Sequence, residues 1–141
     1  MNYAYEIIKA INNRLNEESA EGEANTTSED LQEAVNSITF GTASESDDYI
    51  TYQIITSQHE QTFTSYIENS LIQFDIFSTS QTTCLDLMSK LEEVFDDADL
   101  SINDYEQIEC TRNNSNFVGR EDDTGLYHYY VEYDINVEQN K

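Results

Sequence analysis

The chain has 141 residues, the size of a single domain, and 29 Asp and Glu against 6 Lys and Arg give it a formal net charge of -23. This charge argues against direct binding to nucleic-acid phosphates or anionic lipid, and it favours basic partners, a surface that must not adhere to DNA, or a saline environment. Hydrophobic residues make up 38% of the chain, including 10 Tyr and 6 Phe, which excludes disorder throughout.

The first part of the chain predicts helices. Apolar residues recur at helical spacing within residues 3–17, which predicts an amphipathic helix with one apolar side formed by Tyr3, Ile7, Ile8, Ile11 and Leu15. Residues 18–28 are small, polar and acidic, and they predict a loop. Ser28 at the end of this loop is a suitable N-cap, so we expect a short second helix over residues 29–36.

Extended structure is predicted after the second helix. A short ITF segment, residues 38–40, leads into a turn region over residues 41–48. Residues 49–56 (YITYQIIT) have the aromatic and β-branched content that is typical of a strand. Residues 65–77 predict a second strand, because their apolar and polar side chains alternate. The polar residues 57–64 between these strands predict the arm of a long hairpin.

One further helix and two further strands are predicted for the rest of the chain. Residues 78–80 (STS) offer N-caps to a helix whose apolar side carries Cys84, Leu87, Met88, Leu91, Val94 and Phe95. Strands follow over residues 105–112 and 126–137, and residues 113–125 connect them. Residues 138–141 are expected to form a flexible C-terminus.

The last of these strands is rich in tyrosine. Tyr127, Tyr129 and Tyr133 fall on the same side as its aliphatic residues, so they are predicted to pack inward. Tyr130 falls on the opposite side and is predicted to contact another subunit, because tyrosine is favoured in protein interfaces.

Together these elements predict one α+β domain over residues 1–141. We expect an antiparallel β-sheet of about four strands packed against two or three helices, because the strands are grouped around helices rather than alternating with them. The chain contains no Pro and shows no repeat period.

The sequence carries none of the common catalytic or metal-binding signatures. Only His59 and His128 can transfer protons near neutral pH, and neither a GxSxG elbow, a Gly-rich phosphate loop nor an HExxH motif is present. Residues 96–101 begin like a calcium loop, but Ile102 stands where the loop requires Gly. We therefore expect no enzymatic activity, no metal and no cofactor.

Cys84 and Cys110 lack a short metal-type spacing and are predicted to be buried, reduced thiols. No stretch of the sequence is apolar for long enough to span a bilayer, so we expect no membrane partner.

Several segments resemble the tail-terminator, or tail-completion, proteins of long-tailed bacteriophages. The segment DTGLYHYYVEYDI, residues 123–135, resembles the closing strand of that family. Four further segments follow the order of that family across nearly the whole chain: YEIIKAINNRL, YITYQII, SLIQFDIFS and TSQTTCLDLMSKLEEVF. Two departures stand out: Asp48 occupies the place before Tyr49 where the family often has Pro, and residues 18–37 have no counterpart.

The resemblance implies a structural virion protein that is assembled in the host cytoplasm. Such a protein forms a ring of six subunits at the head–tail junction, caps the tail tube and ends its elongation. Its partners would be copies of itself, the tail tube protein and a head–tail connector or head-completion protein. DNA would pass through the ring without specific binding, and carboxylates would suit the wall of such a passage.

Residues on the loops and on the last strand are the predicted subunit contacts: Gln58, His59, Glu60, Asp122, Asp123 and Tyr130. The alternative function is an acidic inhibitor that mimics nucleic acid and blocks a DNA-binding enzyme, which the net charge alone supports. A small hydrolase ranks last, because only scattered histidines favour it.

Overall fold

The computed structural model describes residues 3–42, 47–100, 102 and 104–141, and it shows a β-sheet with helices on one side only. The elements in chain order are α1 (Tyr3–Leu15), α2 (Thr27–Ala34), β1 (Ser37–Phe40), β2 (Tyr49–Gln61), β3 (Ser65–Ser78), α3 (Gln81–Phe95), β4 (Glu106–Arg120) and β5 (Tyr127–Asn140).

Local side-chain hydrogen bonds determine where α2 begins. Its N-cap is Thr26, whose hydroxyl accepts a hydrogen bond from the backbone N–H of Glu29 at 3.1 Å. The Glu29 carboxylate in turn accepts the Thr26 backbone N–H at 2.9 Å, so the two residues form a capping box. The predicted cap, Ser28, is wrong: its hydroxyl lies inside the helix and donates to the carbonyl of Arg14.

The sheet has five strands in the order β1-β2-β3-β5-β4, and it is mixed. The strand pairs β2–β3, β3–β5 and β5–β4 are antiparallel, whereas β1 runs parallel to β2. The prediction of an antiparallel sheet of about four strands is therefore wrong in both strand number and strand direction.

The error lies in β1, which has only four residues and no fully buried side chain. Such a short segment carries too little alternation to be counted as a strand from sequence. In an antiparallel pair the first residue of β2 would lie beside the end of β1, but Tyr49 lies beside Ser37, the first residue of β1. Within that predicted turn region, residues 43–46 lie outside the described part of the chain.

Two predicted connections are largely strand. β2 continues through Gln61 and β3 begins at Ser65, so residues 57–61 of the predicted hairpin arm are strand and residues 62–64 form its turn. β4 continues through Arg120, which shortens the predicted connection over residues 113–125. Polar side chains occupy both faces of these strand ends, and sequence patterns of this kind resemble loops. β5 also continues to Asn140, which pairs with Ser65, within the C-terminal segment expected to be flexible.

The core forms where the inward face of the sheet meets α1 and α3. Phe74 lies at its centre, and its ring centroid is 4.8 Å from that of Phe95, 5.6 Å from that of Tyr52 and 6.0 Å from that of Tyr133. The predicted inward direction of the β5 tyrosines is confirmed, because Tyr129 and Tyr133 are buried and Tyr127 packs against the core.

Both cysteines are buried free thiols, as predicted. Burial is the main cause that raises the pKa of Cys84 to about 11 and that of Cys110 to about 12. The Cys110 thiol donates to the carbonyl of Phe95 at 3.3 Å, which ties β4 to the end of α3. These thiols act as small core side chains rather than as nucleophiles.

We expect Phe74→Ala to lower the free energy of unfolding by about 3–5 kcal/mol, because it leaves a cavity among three other aromatic rings. Urea unfolding followed by circular dichroism measures this loss. A change below about 1 kcal/mol would show that the ring does not occupy the centre of the core.

Glu29→Gln tests the capping box as a function of pH. Hydrogen bonds from the Thr26 backbone and from Ser19 lower the pKa of Glu29, so its ionised form stabilises the folded state above the pKa of the unfolded chain. We expect the variant to melt below the wild type at pH 7. The difference should shrink as the pH falls below about 4.3, the ordinary pKa of Glu, and disappear below the lowered pKa of Glu29. Glu23→Gln, in the preceding loop, removes the same charge without touching the capping box and should melt like the wild type at pH 7.

Candidate interaction surfaces

The face of the sheet opposite the helices carries a concentration of carboxylates. Alternation along the strands places seven acidic residues there: Glu60, Asp75, Glu106, Glu109, Glu132, Asp134 and Glu138. We call this surface the acidic face. Among the residues that the structure describes, the strands contribute no Lys or Arg to it, because Arg112 and Arg120 lie in register with the inward-facing Tyr133 and Tyr127. Arg112 accordingly binds Glu92 of α3, on the helix side.

An ordered polar and aromatic row crosses one end of the acidic face. The rings of Tyr49, Phe77 and His128 stack in sequence, with centroids 4.6 Å and 4.3 Å apart. His128 Nε2 lies 2.7 Å from a carboxylate oxygen of Asp75, and that oxygen also accepts a hydrogen bond from Gln73 at 2.9 Å. Asp75 is only 6% exposed, so this pairing satisfies a buried carboxylate. His128 therefore has a structural role in holding β3 to β5.

Tyr130 lies on the acidic face, as its alternation predicted. Its neighbours across the sheet are Asp75 and Asn116, and its hydroxyl accepts a hydrogen bond from the side-chain amide of Asn114 at 2.9 Å. The ring is half-buried within one copy of the chain. A contact between Tyr130 and another subunit stays a prediction.

The other predicted contact residues do not form one site. Gln58 and Glu60 lie on the acidic face, whereas His59 points to the other side, where it binds the Glu68 carboxylate and stacks on Tyr66. Asp122 and Asp123 are exposed in the turn between β4 and β5, at the opposite end of the sheet. Strand alternation turns His59 away from Gln58 and Glu60, and the length of the strands separates these three residues from Asp122 and Asp123.

Among the described residues, the most exposed large hydrophobic side chain lies at a position that the sequence did not single out. Phe63 is 99% exposed at the tip of the turn between β2 and β3. The tip is held by hydrogen bonds: the Thr62 N–H donates to the Ser65 carbonyl at 2.8 Å, and the Lys141 N–H donates to the Thr64 carbonyl at 2.9 Å. A lone Phe within the polar segment SQHEQTFT was the available signal.

Among the residues that the structure describes, no strand pairs with either lateral edge of the sheet over long stretches. β4 is the last strand of the sheet, and β1 covers β2 only from Tyr49 to Tyr52. Partly exposed apolar side chains lie along both edges: Phe40 (56%) and Ile55 (42%) on the β1–β2 side, and Phe117 (44%) and Val118 (55%) on β4. Open edges with exposed apolar groups are typical sites for pairing with another chain.

The described residues contain no group of three or more His, Cys, Asp and Glu side chains that is arranged to hold a metal ion. Within the same residues, no helix combines the length and the apolar character needed to cross a membrane. The arrangement of the acidic face, the hairpin tip and the open edges is suited to contacts with other macromolecules.

Comparison of the sequence with known protein families and with curated proteins finds no match. The fold is similar to that of a chain in the solved structure titled "Virion of native gene transfer agent (GTA) particle". That likeness has a TM-score of 0.67 at 10% sequence identity, and it covers 77% of this chain and 84% of the other. At this identity the comparison establishes the similarity of the fold.

We expect Phe63→Ala to change the free energy of unfolding by less than about 0.5 kcal/mol, because the exposed ring has no packing to lose. Urea unfolding of this variant and of Phe74→Ala measures the effect of the same substitution at an exposed and at a buried position of one hairpin. A decrease of more than about 1 kcal/mol in the free energy of unfolding would contradict the exposed position of the Phe63 ring at the turn.

Proposed function

We propose that the chain is a structural virion protein that forms a ring at the head–tail junction of a phage-like particle. In this proposal six copies cap the tail tube, end its elongation and contact a head–tail connector or head-completion protein. Two findings support it: the fold resembles that of a protein in a phage-like virion, and the order of sequence segments resembles tail-terminator proteins. The chain has no enzymatic role in this proposal.

The acidic face is the observation that carries the proposal. A passage for DNA must let the duplex slide, and phosphate-binding cations on its wall would retain the duplex. Seven carboxylates without Lys or Arg on the described strands give one face of the sheet the required repulsion. Screening limits that repulsion to about 8 Å at physiological salt, so the carboxylates repel only DNA that comes close to the wall of the passage.

Charge reversal on pre-assembled rings tests whether the acidic face lines the passage. We expect the wild type to form rings in the electron microscope and to bind neither linear nor closed circular duplex DNA. The triple variant Glu132→Lys, Asp134→Lys and Glu138→Lys should bind linear duplex at least about tenfold more tightly than closed circles, because only free ends can thread a ring.

The matched control reverses three carboxylates on the helix side, Asp30→Lys, Glu33→Lys and Glu93→Lys. Its net charge is the same, and it should bind linear and circular DNA equally through the outer wall of the ring. Equal binding of both DNA forms by the acidic-face variant would contradict a passage lined by that face.

The acidic face also favours the second candidate, an inhibitor that mimics nucleic acid. A mimic presents its carboxylates on one surface, and the strand alternation produces such a surface. This candidate predicts a monomer that displaces DNA from a basic DNA-binding enzyme. Light scattering coupled to size exclusion separates the two functions, because the ring requires an oligomer.

A further inference from the structure

Charge is unevenly distributed along the two open edges. Residues 53–58 (QIITSQ) of β2 and residues 113–119 (NNSNFVG) of β4 carry no charged side chain, although a quarter of the chain is charged. These runs lie on the strands that also expose Ile55, Phe117 and Val118. Proteins commonly protect open edges with charged residues or Pro, and both are absent from these runs. Like-charge repulsion between two copies of this acidic chain is therefore weakest there.

The strand directions are compatible with pairing between copies. β2 and β5 run in one direction, and β3 and β4 run in the other, because each neighbouring pair from β2 to β4 is antiparallel. Placing the β4 edge of one copy beside the β2 edge of the next therefore gives an antiparallel ladder. The two edges are different surfaces, so each copy can use both, as a closed ring of head-to-tail contacts requires.

We propose that the free edge of β2, residues 53–61, pairs with the β4 edge of a second copy and so joins the subunits of the ring. This inference rests on the ring of the proposed function and identifies the surfaces that build it. Because the ladder extends the sheet from copy to copy, all the acidic faces lie on the same side of the wall.

β1 determines the register of this contact. It occupies the β2 edge as far as Tyr52, so an incoming β4 can pair only from Gln53 onward. Within one copy, the strand register across β3 and β5 places Gln53 of β2 at the same position along the sheet as Asn114 of β4. A shift of about five residues, or about 17 Å, brings Val118 opposite Ile55. The apolar side chains of both edges then cover one another.

Substitutions at the two edges test the contact, and 0.5 M NaCl screens the general repulsion between copies. We expect Ile55→Glu alone and Val118→Glu alone to abolish rings in light scattering and electron microscopy. A 1:1 mixture of the two variants should form a dimer and nothing larger, because each variant retains one intact edge. The double variant Ile55→Glu with Val118→Lys should regain rings through a new ion pair at every contact.

Leu85→Glu is the matched control, because Leu85 is 51% exposed and belongs to α3 rather than to either edge strand. It should leave ring formation unchanged. Rings that persist in both single variants would overturn the edge contact while leaving the proposed ring intact. A wild type that stays monomeric up to about 1 mM would overturn the ring together with its contact. Circular dichroism on each variant identifies any loss of assembly that is caused by unfolding.

Discussion

The burial of one sheet face under α1 and α3 is the constraint on which the other features of the chain depend. Strand residues alternate between two faces, so the packing of Phe74, Tyr133 and their apolar neighbours inward places the intervening residues on the other face. The residues that face outward include Glu132 and Asp134, which lie on the side of the sheet away from α1 and α3. The burial of one face of the sheet therefore produces both the core and the acidic face.

The carboxylates of this chain repel one another, and three of the Lys and Arg side chains that could offset this repulsion pair with acidic residues on the helix side. Arg14 pairs with Glu17, Lys90 with Asp86, and Arg112 with Glu92 and Asp96, so these three cations relieve repulsion on the helix side. Within the described part of the chain, the basic side chain beside a carboxylate of the acidic face is His128, whose Nε2 lies 2.7 Å from Asp75. Cations on this face would add stability, but the described strands place no Lys or Arg there. This distribution of charge supports the repulsion that the proposed function requires.

The sequence predicted the parts of the fold that have strong periodicity, and it missed the parts whose signal is local or absent. α3 and the alternation of β5 follow from patterns that extend over many residues. β1 is too short for a pattern, and the outer halves of β2 and β4 have polar residues on both faces. In the candidate site, Tyr130 was placed on the correct face by alternation, whereas Phe63 was overlooked because one apolar residue in a polar segment has no periodicity.

The most direct measurement is the structure of the assembled ring by electron cryomicroscopy, at a resolution that separates strands. Our account predicts that the sheet surrounds the passage, with the carboxylates of Glu132 and Asp134 directed at its axis and the helices on the outside. A ring in which α1 and α3 line the passage, with the acidic face turned outward, would contradict it.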